Sequence, residues 1–176
     1  MNTKYEFISS DTKTVVGITL TRIRALAAIP SIYVAAGDFG GYLEKESNLS
    51  IIGDAWVSGD ARVSGNAWVS GNAQVFGDAR VSGDAWVFGD AWVFGNAQVS
   101  GDASRTPLQI SGLQWHVTIL DTHMQIGCQF HPLESWAKFT DPEIAIMASD
   151  ALEFWNLYKP AILGLARADG RLSLES

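Results

Sequence analysis

The sequence predicts a mainly β protein built around a stack of short parallel strands. From residue 51 to residue 104 the chain runs through nine consecutive six-residue units without an insertion. Each unit places, in order, Val or Ile, a variable residue, Gly, Asp or Asn, Ala, and a second variable residue. A period this strict indicates a repeat architecture and outweighs local helix or strand propensity.

The spacing within each unit predicts which side chains point inward. Ala55 and Val57 are two residues apart, so on a strand both point to one side and Trp56 points to the other. Alanine at the first inward position of every unit indicates a narrow interior. The Gly-Asp or Gly-Asn pair before each alanine tolerates the tight backbone of a corner.

This pattern resembles the hexapeptide repeat of left-handed parallel β-helices. In that family three hexads form one triangular coil, an aliphatic residue fills each side, and a small residue follows four positions later. The resemblance implies three full coils over residues 51–104. The expected fold class is therefore a left-handed parallel β-helix with an N-terminal β cap and a C-terminal hairpin followed by helices.

The chain divides into three expected segments. Residues 1–32 are expected to form the N-terminal β cap, because solenoid ends expose unpaired edges that need covering. Its two strands would be joined by the polar turn Ser9–Asp11. The β-helix is expected over residues 33–104, and the C-terminal tail over residues 105–176.

The first coil of this β-helix is expected to be degenerate. Counting back from the regular repeat in steps of three hexads places Phe39 in the aliphatic position and Leu43 and Leu49 in the small one. We therefore predict that residues 33–50 lead into the regular stack in the same register.

In the tail, residues 115–120 and 123–128 predict a hairpin around the two-residue turn Asp121–Thr122. Strand alternation assigns its side chains to two faces. The apolar face would carry Trp115, Val117, Ile119, Met124, Ile126 and Cys128, and the other face His116, Thr118, His123 and Gln125.

Helix signals follow the hairpin. Thr140 and Glu143 have the spacing of a capping box, with a proline inside the first turn. Ser149 is expected to cap the next helix, which should stop near Gly170. Pro160 is expected to kink or split that helix.

Composition excludes several classes of protein. With 47% hydrophobic and 18% charged residues the 176-residue chain is not generally disordered. A formal charge of −7 makes direct nucleic-acid binding a poor expectation. The single cysteine, Cys128, suits a reducing cytoplasm. No apolar run reaches about 18 residues and no apolar signal core precedes the repeat, so we expect no membrane span and a cytoplasmic location.

Residues three hexads apart are expected to stack, which sorts the outward side chains into three faces. Face two is polar and carries Arg62 above Arg80. The other two faces are aromatic. Face one has Trp56, Phe76, Trp92 and Phe94, and face three has Trp68, Trp86 and Phe88.

Large bare apolar patches are rare on monomers. The tail can cover one aromatic face, so the other is expected to form a homo-oligomer or partner interface, with a dimer favoured over a trimer. In the alternative, the tail and the N-terminal segment cover both faces.

Catalytic chemistry is sparse. Hexapeptide-repeat acyltransferases use a histidine as general base, whereas residues 33–104 contain none. Histidines occur only in the tail, as His116, His123 and His131. We expect no catalytic residues, no metal and no cofactor. Those histidines, with Arg62 and Arg80, are candidate contacts to a ligand or anion.

Beyond the repeat, the chain resembles small bacteriophage and prophage proteins with hexapeptide repeats. The residues that carry the resemblance are Gly37–Glu44, Asn48–Ser50, Thr118–Cys128, His131 and Trp136. Such small accessory phage proteins often neutralise a host defence. The resemblance thus implies a phage- or prophage-encoded protein that acts in the cytoplasm of a bacterial host.

Three functions follow as hypotheses. The first is a non-enzymatic binding protein that antagonises a host defence factor by protein–protein contact. The second is a sponge that sequesters a small nucleotide signal at a subunit interface. The third is a hexapeptide-repeat acyltransferase.

Overall fold

A computed structural model describes residues 2–173. Met1, at the start of the predicted cap, and residues 174–176, at the end of the predicted tail, lie outside the described residues. The chain forms two compact units, residues 1–107 and residues 108–176. Each unit is described by itself below.

The N-terminal unit contains eleven described strands. Two long strands, β1 (Tyr5–Val15) and β2 (Ile18–Ala25), form an antiparallel hairpin, and β3 (Phe39–Leu43) follows. The remaining strands have two residues each: β4 (Trp56–Val57), β5 (Arg62–Val63), β6 (Trp68–Val69), β7 (Gln74–Val75), β8 (Arg80–Val81), β9 (Trp86–Val87), β10 (Trp92–Val93) and β11 (Gln98–Val99). Short 3-10 helices span Pro30–Ile32 and Glu46–Asn48.

The short strands stack in parallel, and each pairs with a strand three hexads away along the chain, so three hexads make one coil. Face one is the sheet β4-β7-β10, in which Trp56, Gln74 and Trp92 are in register. Face two contains β5-β8-β11, and face three pairs β6 with β9. The predicted parallel β-helix and its assignment of strands to faces are confirmed.

The interior of the β-helix contains the small and aliphatic residues that the repeat predicts. Every alanine and valine at the inward positions from Ala55 to Val99 is at most 1% exposed. The corners bring backbones together as well. A Cβ on Gly59, whose φ is +67°, would lie 3.2 Å from the backbone nitrogen of Gly77 one coil below. Glycine is needed there for its conformation and for its missing side chain.

The register of the first coil was predicted wrongly. Leu43 pairs with Val63 and Leu49 with Val69, in each case two positions beyond the three-hexad spacing, so both leucines hold aliphatic positions. Phe39, expected in an aliphatic inward position, is 61% exposed.

An insertion between the first two coils causes the shift. The N–H of Ser50 donates to the carbonyl oxygen of Val69, so Ser50 still has the spacing that is two residues longer than three hexads. Gly53 has the regular spacing, because a Cβ on Gly53 would approach Gly71, which lies three hexads further along the chain. The insertion therefore lies between Ser50 and Gly53. Ile51 and Ile52 are the two extra residues, and they are exposed. The unit at 51–56 thus lacks an inward aliphatic residue.

The N-terminal hairpin turns at Val16 and Gly17, both of which have positive φ. The predicted turn at Ser9–Asp11 is wrong, because those residues lie inside β1, where the pairing register shifts between Ile8 and Thr12. This irregularity accommodates the polar residues without ending the strand. The hairpin then adds to the β-helix, since β2 pairs antiparallel with β3 and extends the sheet of face two.

The regular repeat ends in the last predicted hexad. Ala103 pairs with Val87, two positions short of the three-hexad spacing, instead of stacking above Ala85 as the repeat requires. The N–H of Ala103 donates to the carbonyl oxygen of Trp86 at 2.7 Å. The third coil is therefore incomplete on face three.

The C-terminal unit combines a four-stranded antiparallel sheet with three helices. The strands are β12 (Leu108–Ile110), β13 (Val117–Ile119), β14 (His123–Ile126) and β15 (Gln129–Pro132), in that order across the sheet. The helices are α1 (Leu133–Lys138), α2 (Asp141–Ala145) and α3 (Ala151–Ala168). Strands β13 and β14 share one hydrophobic core with all three helices.

Within this unit the hairpin at Asp121–Thr122 and the capping box of Thr140 and Glu143 are confirmed. Cys128 was expected on the apolar face, but it is exposed because it lies in the turn between β14 and β15. Thr118 and Gln125 were expected on the polar face, yet both are buried.

Two expectations for α3 were also wrong. The residue preceding the helix is Asp150, not Ser149. The helix also continues through Pro160, so the expected split does not occur. Gly170, with a φ of +69°, follows the helix end as predicted.

Candidate binding surfaces

The first aromatic ladder, defined as Phe76, Trp92 and Phe94, lies on face one. Phe76 stacks on Phe94 with ring centroids 5.5 Å apart and contacts Trp92 edge-on at 6.2 Å. Trp92 is 49% exposed and Phe94 39%. Trp56 was expected in the same surface, but it is 3% exposed and is therefore a core residue.

The second aromatic ladder, defined as Trp68, Trp86 and Phe88, lies on face three. The rings of Trp68 and Trp86 are 5.1 Å apart, and Trp86 contacts Phe88 edge-on at 6.1 Å. Trp86 is 48% exposed, and its two neighbours are partly buried. Both ladders thus become more exposed towards the later coils.

Face two contains a groove of about 240 Å³. Arg62 and Arg80 lie side by side in its floor, paired in register on β5 and β8. One wall is apolar and comes from the N-terminal hairpin, including Val16 and Ile18. Like charges directly opposite each other on neighbouring strands repel.

The three histidines lie at different places in the C-terminal sheet. His123 stacks on Phe130 at 4.9 Å. His131, on β15, contacts the rings of Trp136 and Phe139 edge-on. His116 is half-buried just before β13. The structure therefore gives each histidine its own packing environment, none of which involves a carboxylate contact among the described interactions.

Sequence reasoning missed a cavity in the C-terminal unit. Its lining includes Trp115, Trp136 and Trp155, together with the exposed Cys128. Trp115 was expected on the apolar face of the hairpin, but no sequence pattern indicated that it lines a cavity with Trp136 and Trp155. Within residues 2–173, no three His, Cys, Asp or Glu side chains are placed to hold a metal ion. No described helix is long and apolar enough to cross a membrane.

Comparison with known families supports the β-helix. A family model described as the YdcK beta solenoid repeat matches residues 55–71 and 73–89. Each matched stretch is about one coil long, in agreement with the three-hexad period of the strand pairing. The repeat region is a β-solenoid. No curated protein matches the sequence.

Proposed function

We propose that the chain is a non-enzymatic binding protein whose β-helix presents its aromatic ladders to a protein partner. The observation that carries the proposal is the exposure of Trp86, Trp92 and Phe94, each 39–49% exposed in the later coils. Aromatic side chains on rigid elements are typical of interface hot spots, and a solenoid presents them on a flat, regular surface.

The energy available from these rings is of the same order as the cost of association. A fully buried aromatic side chain removes about 150–250 Å² from water. At about half that area and about 25 cal/mol per Å², each ring contributes about 2–3 kcal/mol. Trp92 and Phe94 of the first aromatic ladder together contribute about 4–6 kcal/mol, which reaches the lower end of the association cost, about 4 kcal/mol.

The partner would be a host protein, in keeping with the resemblance to small phage and prophage proteins, and the site of action the bacterial cytoplasm. The chain would antagonise a defence factor by occupying its surface. A second copy of the chain is a further partner for whichever ladder the host protein does not use, with a dimer favoured on base rates.

The experiment is partner capture with charge-reversal variants. Trp92→Glu/Phe94→Glu places two carboxylates in the first aromatic ladder. Gln98→Glu/Ser100→Glu makes the same changes one hexad later, on the polar face, and is the matched control. A host protein retained by the wild type and the control but lost from the ladder variant supports the proposal. Equal retention by all three proteins, tested also with Trp86→Glu, would refute it.

A second candidate function is binding of a small nucleotide, and the groove on face two favours it. Its two arginines suit a phosphate, and its apolar wall of Val16 and Ile18 suits a base. Titration with AMP tests this candidate. Arg80→Ala should abolish binding, whereas Arg24→Ala should not, because Arg24 is paired with Glu6 outside the groove. Unchanged AMP binding by Arg80→Ala would eliminate the groove as the nucleotide site.

A further inference from the structure

The cavity in the C-terminal unit has a volume of about 90 Å³ and lies between the β14–β15 turn and the three helices. Its wall is mainly aromatic and aliphatic, and none of the described residues around it is Asp, Glu, Lys, Arg or His. A ligand that fits such a wall carries no charge. The side chains that matter here are Trp115, Trp136, Trp155, Ile126, Ile144 and Phe154.

One hydrogen-bond donor in this wall has no partner among the described residues. The indole N–H of Trp136 donates to the carbonyl oxygen of Met124 at 2.8 Å. The indole Nε1 of Trp155 is buried too, but it has no hydrogen-bond partner within residues 2–173. Trp155 itself is 2% exposed. Buried donors are nearly always paired in native proteins, so this N–H indicates an acceptor that residues 2–173 do not provide.

The cavity opens beside the turn between β14 and β15. Gly127 has a φ of +56°, and a Cβ on it would lie 3.6 Å from the ring of Trp115. The next residue, Cys128, is exposed and also lines the cavity. A free thiol thus stands at the entrance, where it can report on whether the cavity is occupied.

We propose that this cavity binds a small neutral ligand with a single ring and one hydrogen-bond acceptor, which the Trp155 indole N–H recognises. Closed apolar cavities of about 150 Å³ accept benzene. This cavity is smaller, but Cys128 in its wall is exposed, so we expect a ring to enter in part and to stay open to solvent on the Cys128 side. The site is independent of the aromatic ladders on the β-helix and adds a ligand to the proposed protein-binding function.

The test compares two probes of similar shape on the full chain. Acetophenone has a ring and a carbonyl acceptor, whereas ethylbenzene has the ring alone. Each of the seven tryptophans contributes one indole N–H signal to a ¹H–¹⁵N NMR spectrum, and the signal lost in Trp155→Phe is that of Trp155. Acetophenone should move the Trp155 signal most. It should also slow alkylation of Cys128 by iodoacetamide.

The matched variant then isolates the hydrogen bond. Trp155→Phe keeps an aromatic ring but removes the N–H, so it should weaken acetophenone binding by roughly two- to tenfold, the value of one neutral hydrogen bond. Ethylbenzene binding should change by less than that. Shifts confined to Trp86 and Trp92, no shift at saturating acetophenone, or equal weakening of both probes would overturn the proposal. The spectrum itself verifies that the variant is folded.

Discussion

The side-chain amine of Lys4 donates a hydrogen bond to the main-chain carbonyl oxygen of Gly53, at 2.9 Å. It donates a second to the carbonyl oxygen of Ser50 at 3.0 Å. Both acceptors flank the insertion at Ile51 and Ile52, so Lys4 fastens the N-terminal strand to the corner where the repeat changes register. Burial lowers the pKa of Lys4 to about 8, although the negative charge of Asp54 opposes this shift.

Stability is therefore expected to rise with pH above about 8. In the unfolded chain the pKa of Lys4 is 10.5, so between about 8 and 10.5 the unfolded state binds more protons than the folded state. The penalty for burying the charge is present below about pH 8 and is removed across this window. In urea unfolding, wild type should gain stability relative to Lys4→Met between about pH 7.5 and 9.5.

The titration of Tyr5 limits that measurement to pH values below about 10. Burial raises the pKa of its hydroxyl from 10 to about 12, with a contribution from Glu46. Its stabilising effect is complete below pH 10 and is lost as the pH rises towards 12. We take the free energy of unfolding of the wild type minus that of Lys4→Met. If this value stays constant or falls with rising pH below pH 10, the expected titration of Lys4 is contradicted.

Gly41→Ala is expected to destabilise the first coil. Gly41 holds the position of the inward alanines, but its Cβ would lie 2.7 Å from the carbonyl oxygen of Ala61 and 2.7 Å from Cγ1 of Val57. We expect a loss of about 1–3 kcal/mol in the free energy of unfolding. Gly164→Ala in α3 is the control, because no atom lies within 4 Å of its added Cβ.

The control should change stability in the opposite direction. Alanine in an exposed helix position is favoured over glycine by about 0.4–1 kcal/mol. Denaturant unfolding measures both variants. If Gly41→Ala left the free energy of unfolding unchanged, the first coil would have to widen easily. That result would contradict the close approach of Gly41 to the carbonyl oxygen of Ala61.

Ala79→Leu and Arg80→Leu test the assignment of inward and outward positions. Ala79 is fully buried in the narrow interior, so leucine should cost about 1–3 kcal/mol by overpacking. Arg80 is exposed, and leucine there should change the free energy of unfolding by within about 0.5 kcal/mol. Thermal unfolding that gave equal losses would contradict the face assignment.

Self-association through an aromatic ladder is tested by light scattering. We expect the wild type to form a dimer at micromolar concentration and one of the two ladder variants, Trp92→Glu/Phe94→Glu or Trp86→Glu, to be monomeric while folded. Gln98→Glu/Ser100→Glu should remain dimeric. If the wild type is a monomer, neither ladder is a self-association surface. A trimer would keep the interface but change its symmetry.

Strand pairing in the regular coils could be predicted from the sequence because every hexad places the same residue types at the same positions. Val63 and Val81 occupy the same place in hexads of one pattern, and the resemblance to left-handed β-helices implies the stacking of every third hexad that their pairing shows. Leu43 could not be placed in the same way. Its coil contains two additional residues at Ile51 and Ile52, and these continue the apparent hexad spacing without a visible gap.

Among the candidate sites, too, features that depend on strand alternation could be predicted and features that depend on tertiary packing could not. Trp92 and Trp86 were identified as outward residues by alternation alone, and their exposure agrees with this. The burial of Trp56 depends on packing that periodicity does not describe. The Trp155 cavity arises from tertiary contacts among a strand turn and three helices, and no spacing in the sequence encodes them.

The stacking of every third hexad also governs how such a chain can change in length. Removing one hexad would preserve every inward alanine and valine, yet it would move each later outward side chain to the neighbouring face. Trp86 would then lie where Arg80 now pairs with Arg62. Removing a whole coil would preserve the surface chemistry of each face. Duplications and deletions that keep the binding surfaces are therefore restricted to multiples of three hexads, although the interior tolerates any number.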